Sequence, residues 1–110
     1  MHTASILITG CSSGIGYHTA HGLRRRGYRV FATARGDEDV QRLASEELES
    51  LALDLDSSKS IRRAVDTVLE RTGGRIYALI NNGAFGLPGA VEDLNREALR
   101  AQFETNVFGT

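Results

Sequence analysis

Three glycines follow the first apolar run of the chain, at a spacing that could cradle a phosphate. Gly10, Gly14 and Gly16 form the pattern Gly-x-x-x-Gly-x-Gly between a β-prone segment and a helical pattern. A helix N-terminus presents free N–H groups and partial positive charge, and glycines let a pyrophosphate approach the backbone. The spacing differs from the Gly-x-Gly-x-x-Gly of the usual dinucleotide fingerprint. No Lys-Ser/Thr pair follows the last glycine, which excludes a P-loop.

The residues between these glycines could add contacts to a bound anion. Ser12 and Ser13 carry hydroxyl groups that can donate hydrogen bonds to phosphate at the helix start. The alternative is that both serines only stabilise the turn, where serine is common. Cys11 lies in the same turn, and we expect it to fill space there rather than to act as a reactive thiol.

An arginine at the end of the second predicted strand indicates which dinucleotide the turn would accept. A NAD site places an acidic side chain about 20 residues beyond the glycines, whereas an NADP site uses a nearby arginine. In Thr33-Ala34-Arg35 the position for the acid holds Ala34, and Arg35 follows it. A guanidinium can bind a 2′-phosphate through paired, charge-assisted hydrogen bonds. We therefore expect NADP(H) as the cofactor; the alternative is a solvated surface arginine.

The composition is that of one ordinary globular domain. The 110 residues include 41% hydrophobic and 25% charged side chains and carry a net charge of −1, which suits one modest core. With no basic field, we expect no nucleic-acid partner. We also expect no membrane span and no secretory signal, because no run has the required length or pattern.

The cysteine and histidine content argues against covalent or metal cross-links. Cys11 is the only cysteine, so an intramolecular disulfide is excluded, and we expect a cytoplasmic location. His18 and His21 are three residues apart on a predicted helix and could share a metal. Because no third ligand is evident in the sequence, we expect a solvated helix face and no metal site.

Apolar periodicity predicts strands that alternate with helices. The predicted strands are Ala4–Thr9, Tyr28–Ala34, Leu48–Leu53 and Arg75–Asn81, and the predicted helices are Gly14–Arg26, Glu38–Ala44, Ser58–Arg71 and a last helix capped by Asn95. This order predicts one domain over residues 1–110, an α/β doubly wound parallel sheet of the Rossmann type with strand order 3-2-1-4 and helices on both faces.

Two apolar faces follow from this assignment. On the first helix, Ile15, Ala20 and Leu23 are predicted to face the sheet. On the last helix, Leu99, Phe103 and Val107 form an apolar stripe.

Four motifs, in order along the chain, resemble the cofactor site of the short-chain dehydrogenase/reductase family. They are Thr9-Gly10-x-x-x-Gly14-Ile15-Gly16, Asp54-Leu55, Asn81-Asn82-Gly83-Ala84 and Phe103-x-x-Asn106-x-x-Gly109. Together they span essentially the whole chain, which makes the resemblance far more specific than any single motif. The third motif departs from the family's Asn-Asn-Ala-Gly, since Gly83 and Ala84 stand in the opposite order.

The resemblance implies a role for each matching residue. Asp54 would contact the adenine, with a cap before the next helix as the alternative role. Asn82 would contact the adenosine ribose, while Asn81 would tie strand ends together. Asn106 would be the catalytic asparagine, which kinks its helix and holds a water of the proton relay. The implied cofactor-binding set is Gly10, Ser12, Ser13, Gly14, Ile15, Gly16, Arg35, Asp54, Leu55, Asn82, Gly83 and Ala84.

The resemblance also implies an activity, namely hydride transfer between NADP(H) and a small-molecule alcohol or carbonyl. The family's catalytic Ser and Tyr-x-x-x-Lys have no match here, because none of Tyr17, Tyr28 and Tyr77 has Lys four residues later. We therefore expect a truncated cofactor-binding part, inactive by itself. Because the fourth predicted strand has one bare edge, we expect a homo-oligomer or an aggregation-prone fragment. The alternatives are a non-enzymatic dinucleotide-binding module or sensor, and an interaction domain that uses no nucleotide.

Overall fold

In the residues that the structure describes, the chain folds into four strands and four α-helices that alternate as predicted. The computed structural model describes residues 3–110. Its strands are β1 (Ser5–Ile8), β2 (Arg29–Ala34), β3 (Glu49–Ala52) and β4 (Ala78–Ile80), and its α-helices are α1 (Gly14–Arg25), α2 (Asp37–Ser45), α3 (Ser58–Thr72) and α4 (Arg96–Phe103). A 3-10 turn, Val91–Asp93, precedes α4, and a π-helical segment, Glu104–Gly109, follows it.

The four strands form one parallel sheet in the order β3-β2-β1-β4. The predicted strand order is thus confirmed. Leu7, in the middle of β1, lies beside Phe31 of β2 and Leu79 of β4. Strand β4 is shorter than the predicted Arg75–Asn81, because only Ala78–Ile80 pair with β1.

Successive residues of β1 and β2 point to opposite faces of the sheet, and helices cover both faces. Ile6, Ile8, Val30 and Ala32 belong to one core cluster with Ala20 of α1 and Leu43 of α2. Leu7 and Phe31 belong to the other cluster, with Val68 of α3. Both strands are therefore buried on both sides, which explains why their sequences are nearly continuous apolar runs.

The predicted sheet-facing side of α1 is wrong at one residue. Ile15 is 78% exposed, whereas Gly16 and Ala20 are buried. Positions 16 and 20 are four apart and lie on one helix face, which is the face towards the sheet. Ile15 is turned about 100° from that face in a 3.6-residue helix. Small side chains, not a branched one, allow α1 to approach the sheet.

Capping residues mark the ends of the later helices, and the cap at Asn95 is as predicted. Ser57 caps α3 by accepting a hydrogen bond from the Ser60 N–H at 3.2 Å. Gly73 ends that helix in the left-handed conformation, with φ of 69°, which glycine adopts without strain. Asn95 caps α4 through a 2.8 Å hydrogen bond from the Ala98 N–H.

The apolar stripe of the last helix lies on the surface. Leu99 and Phe103 are about half exposed, and Val107 falls in the π-helical segment rather than in α4. In the described residues 3–110, no helix is long and apolar enough to cross a membrane.

Candidate functional site

A cleft opens at the carboxyl ends of the four parallel strands. Its volume is about 220 Å³, and its walls come from the loops after β1, β2, β3 and β4. Because parallel strands all end at the same edge, residues far apart in sequence meet there. The predicted site residues that line this cleft are Gly10, Ser12, Arg35, Asp54, Leu55, Gly83 and Ala84.

Close backbone packing determines the shape of the glycine turn. Gly10 has φ of 69°, and a Cβ there would lie 2.8 Å from the Cα of Gly83. A Cβ on Gly16 would collide with the carbonyl of Gly10 and lie 2.5 Å from Nδ2 of Asn82. Side chains at these positions would push α1 away from the turn, so the spacing of these glycines has a direct steric cause.

The side chains of Ser12, Ser13 and Ile15 differ in their exposure and in what they contact. Ser13 is the exposed N-cap of α1, and its side chain makes no capping bond. Ser12 is half-buried, and its carbonyl accepts a 2.5 Å hydrogen bond from Arg42 of α2. Ile15 projects outward and does not line the cleft.

Cys11 is buried beneath the turn. Its thiol donates to the carbonyl of Ile8 at 3.4 Å, and its own N–H donates to the carbonyl of Thr33. Burial raises the pKa of the Cys11 thiol to about 11. The structure therefore supports the space-filling role predicted for this side chain, because a reactive thiol needs exposure and a low pKa.

Thr9 and Asn82 join the end of β1 to the loop after β4. The Thr9 hydroxyl accepts hydrogen bonds from the N–H groups of Asn82 and Gly83, at 3.0 and 2.8 Å. The Asn82 side chain donates to the carbonyls of Thr9 and Gly10. The prediction that Asn81 ties the strand ends is therefore wrong, because it is Asn82 that turns back towards β1.

Arg35 lies at the mouth of the cleft, directly after β2. Its side chain is exposed, whereas Ala34 before it is buried within the core. The cleft thus has a guanidinium at the predicted end of the second strand.

Asp54 has a structural partner as well as access to the cleft. One carboxylate oxygen of Asp54 accepts a 2.9 Å hydrogen bond from the Asp56 N–H. The backbone N–H of Asp54 donates to the Ser60 hydroxyl at 2.8 Å. These bonds belong to the approach to α3, which is the alternative role predicted for this residue. Leu55 follows and packs against Gly83 and Gly109.

Asn106 holds the loop after β4 to the π-helical segment. Its Nδ2 donates to the Phe85 carbonyl at 2.8 Å, and its Oδ1 accepts from the Phe85 N–H at 3.0 Å. Nδ2 also contacts the side-chain oxygen of Gln102 at 3.1 Å. Ala84 is exposed next to this tie and lines the cleft.

Several residues that organise the cleft received no role from the sequence. Thr9 forms the link between strands, and Thr105 donates a hydrogen bond to Asp56 across the cleft wall. A Cβ on Gly109 would lie 2.7 Å from the Cβ of Leu55. Arg42 reaches the turn from α2. Only Thr9 and Gly109 had a visible signal, since both lie within the motifs.

The two histidines of α1 do not converge on a shared site. Nε2 of His21 lies 3.0 Å from a carboxylate oxygen of Glu46, at the C-terminal end of α2, whereas His18 is exposed. Within residues 3–110, no cluster of three or more His, Cys, Asp or Glu side chains could hold a metal ion.

Comparison with known proteins connects this arrangement to one family. The sequence model of a family described as short chain dehydrogenase matches residues 4–110. The chain is 42% identical over 105 residues to the "Uncharacterized oxidoreductase YbbO" of Escherichia coli. It is 37% identical over 110 residues to a 3-ketodihydrosphingosine reductase of Bacteroides thetaiotaomicron. The matches cover 96% and 99% of the chain but 39% of each relative, so the chain spans about two fifths of their length.

Solved structures share the same fold. An actinorhodin polyketide ketoreductase variant solved with NADPH superposes with a TM-score of 0.89 at 33% identity, over 99% of this chain and 45% of that one. A 3-ketoacyl-(acyl-carrier-protein) reductase from Brucella melitensis, complexed with NADH, gives 0.87 at 26% identity, over 98% and 46%.

Proposed function

We infer that this chain, which belongs to the short chain dehydrogenase family, is the cofactor-binding part of an NADP(H)-dependent oxidoreductase that interconverts an alcohol and a carbonyl. One observation carries the proposal. The cleft brings the glycine turn, Arg35 and Asp54 together at the carboxyl edge of the sheet, where open α/β sheets bind their ligands. The names of the ketodihydrosphingosine reductase and the polyketide ketoreductase support a carbonyl or alcohol substrate.

The residues present suit a dinucleotide. Gly10 and Gly16 are so closely packed that a side chain on either would push the turn, α1 and the loop after β4 apart, and α1 begins there with N–H groups that lack helical partners. In this proposal the turn from Gly10 to Gly16 faces the pyrophosphate, and Asp54 receives the adenine. When bound, the nicotinamide supplies the hydride. The chain's own residues bind and orient the cofactor.

Arg35 carries the proposed preference for NADP(H). Because one structural relative is bound to NADPH and another to NADH, the fold alone accommodates either dinucleotide. The exposed guanidinium of Arg35 at the cleft mouth favours the 2′-phosphate. Ala34 is apolar and buried, so the position of the acid in a NAD site has no carboxylate here.

A titration of the chain with NADPH and NADH tests this assignment. We expect Arg35→Ala to raise the Kd for NADPH about tenfold or more, since a charge-assisted pair is lost, and to leave the Kd for NADH nearly unchanged. Arg26→Ala is the matched control, because Arg26 is also exposed but lies at the far end of α1. Equal losses for both dinucleotides would refute the preference. No binding of either at millimolar concentration would favour an interaction domain.

We expect the 110 residues to bind NADPH without turnover, because none of their tyrosines has the Tyr-x-x-x-Lys spacing and Asn106 is engaged with Phe85.

A homo-oligomer is supported by exposed apolar side chains, namely Leu79, Leu99 and Phe103. Sedimentation at several concentrations would test it.

A location in the reducing cytoplasm agrees with the single buried thiol of Cys11.

A further inference from the structure

Arg42 connects α2 to the glycine turn through contacts that converge from several elements. One guanidinium nitrogen donates to the Ser12 carbonyl at 2.5 Å and lies 3.2 Å from a carboxylate oxygen of Asp39. The other terminal nitrogen lies 3.8 Å from Glu46. The guanidinium carbon lies 5.5 Å from the ring centre of Tyr17, over its face. Although the side chain is 42% exposed, its head group is thus held on three sides.

The partners of Arg42 are themselves held in place. Glu46 accepts a 2.6 Å hydrogen bond from the Tyr17 hydroxyl and lies 3.0 Å from Nε2 of His21. Tyr17 and His21 belong to α1, whereas Glu46 caps the C-terminal end of α2. Arg42 therefore sits in a network that joins the helix after the turn to the helix beside it.

The bond to Ser12 has a geometric consequence at the start of α1. A trans peptide is planar, so the carbonyl of Ser12 and the N–H of Ser13 point in opposite directions. Because Arg42 holds the carbonyl towards α2, the Ser13 N–H points away from α2. Ser13 is the N-cap of α1, where N–H groups lack helical partners and suit an anion.

We propose that Arg42 is a positioning residue that orients the Ser12–Ser13 peptide for the pyrophosphate of the dinucleotide. This inference rests on the proposed cofactor role of the turn. Arg42 does not line the cleft, whereas Arg35 does. Its charge is also matched by Asp39 and Glu46, so it is poorly suited to binding a phosphate itself. The two arginines therefore have separable tasks: Arg35 contacts the 2′-phosphate, and Arg42 orders the turn.

The test uses three ligands that separate the two tasks. NADPH carries both the pyrophosphate and the 2′-phosphate, NADH carries only the pyrophosphate, and adenosine 2′-monophosphate carries only the 2′-phosphate. Each is titrated against the wild-type chain, Arg42→Met, Arg42→Lys and Arg35→Ala. Arg24→Met is the matched control, because Arg24 also pairs with a glutamate, Glu47, on the surface. Thermal unfolding of each variant checks that the chain remains folded.

For Arg42→Met we expect the Kd of NADPH and of NADH each to rise about tenfold, and that of adenosine 2′-monophosphate to change less than about twofold. Arg35→Ala should give the reverse selectivity between NADH and adenosine 2′-monophosphate. Arg42→Lys should recover part of the affinity, since lysine can donate one hydrogen bond but lacks the planar fork. A purely structural role would weaken all three ligands alike.

Amide hydrogen exchange of the ligand-free chain gives a second, independent measurement. We expect the Tyr17 amide, which donates to the Ser13 carbonyl, to exchange faster in Arg42→Met, with the amides of Ile6 to Ile8 unchanged. Wild-type affinity for both dinucleotides in Arg42→Met, or a loss confined to adenosine 2′-monophosphate, would overturn the inference. If the wild-type chain binds no dinucleotide, the proposed function fails. Unchanged exchange at Tyr17 would then also refute the ordering role of Arg42.

Discussion

The two sides of the cleft are held by different kinds of interaction. The turn after β1 rests on buried residues, with Cys11 and Thr33 beneath it and Ala20 behind it. The segment after β4 has no fully buried residue from position 81 to 110. Polar ties hold it instead, among them the bonds between Asn106 and Phe85.

This difference indicates how each side should respond to change. A buried site loses both apolar transfer energy and packing when a side chain is truncated. An exposed tie exchanges one hydrogen-bond partner for water, so its net contribution is smaller. We therefore expect substitutions beneath the turn to unfold the chain and substitutions beyond β4 to act locally.

The largest contrast is expected between two phenylalanines. Phe31 is fully buried in β2, whereas Phe103 of α4 is 53% exposed. Phe31→Ala should lower the free energy of unfolding by about 3–5 kcal/mol. Phe103→Ala should change it by about 0.5 kcal/mol or less. Urea denaturation of both variants measures the difference. Similar losses in the two would show that the segment after β4 is part of the core.

Two glycines of α1 should shift stability in opposite directions. Gly16→Ala places a methyl group against the Gly10 carbonyl and should cost about 1–3 kcal/mol through overpacking. It should also remove NADPH binding, because the turn must open. Gly22→Ala meets nothing closer than 3.9 Å and should gain roughly 0.5–1 kcal/mol from helix propensity. Thermal unfolding distinguishes the two, and a stable Gly16→Ala that still binds NADPH would contradict the steric argument.

The tie made by Asn106 should produce a smaller and local effect. Asn106→Ala removes both bonds to the Phe85 backbone and should cost about 1 kcal/mol, since water can replace them. Exchange of the Phe85 amide should accelerate while the amides of β1 and β2 keep their protection. Asn95→Ala, which removes the cap of α4, should cost about the same without affecting Phe85. Faster exchange throughout the sheet in Asn106→Ala would refute a local role.

The smallest expected effect is a pH dependence at the junction of α1 and α2. The Tyr17 hydroxyl, and then His21 and Arg42, hold the pKa of the Glu46 carboxyl below its usual range. A lowered folded pKa means that the carboxylate stabilises the fold above its ordinary pKa. That contribution is lost as pH falls through the lowered value. The stability difference between wild type and Glu46→Gln should therefore shrink from pH 7 towards pH 3. A difference that stays constant over this range would show that the Glu46 charge contributes nothing.

The sequence predicts an element correctly where a short motif, such as a capping residue or an apolar run, agrees with the packing of the folded chain. The cap at Asn95 and the strand order 3-2-1-4 are both predicted and confirmed. Ile15 was assigned to the sheet face because apolar side chains are usually buried. The close approach of α1 to Gly10 requires Gly16 on that face instead. A hydrophobic pattern does not reveal how near two backbones come.

The amino-acid sequence by itself determined the alternation of strands and helices, the glycine turn before α1 and the arginine after β2. Each of these follows from residues close together in the chain, through periodicity, capping or backbone freedom. Only the tertiary structure decided that Asn82 rather than Asn81 binds β1, that Gly109 packs on Leu55 and that Arg42 reaches Ser12. Those contacts join residues 30 to more than 70 positions apart. They exist only because the parallel strands bring their carboxyl ends to one edge, where neighbouring loops must pack together.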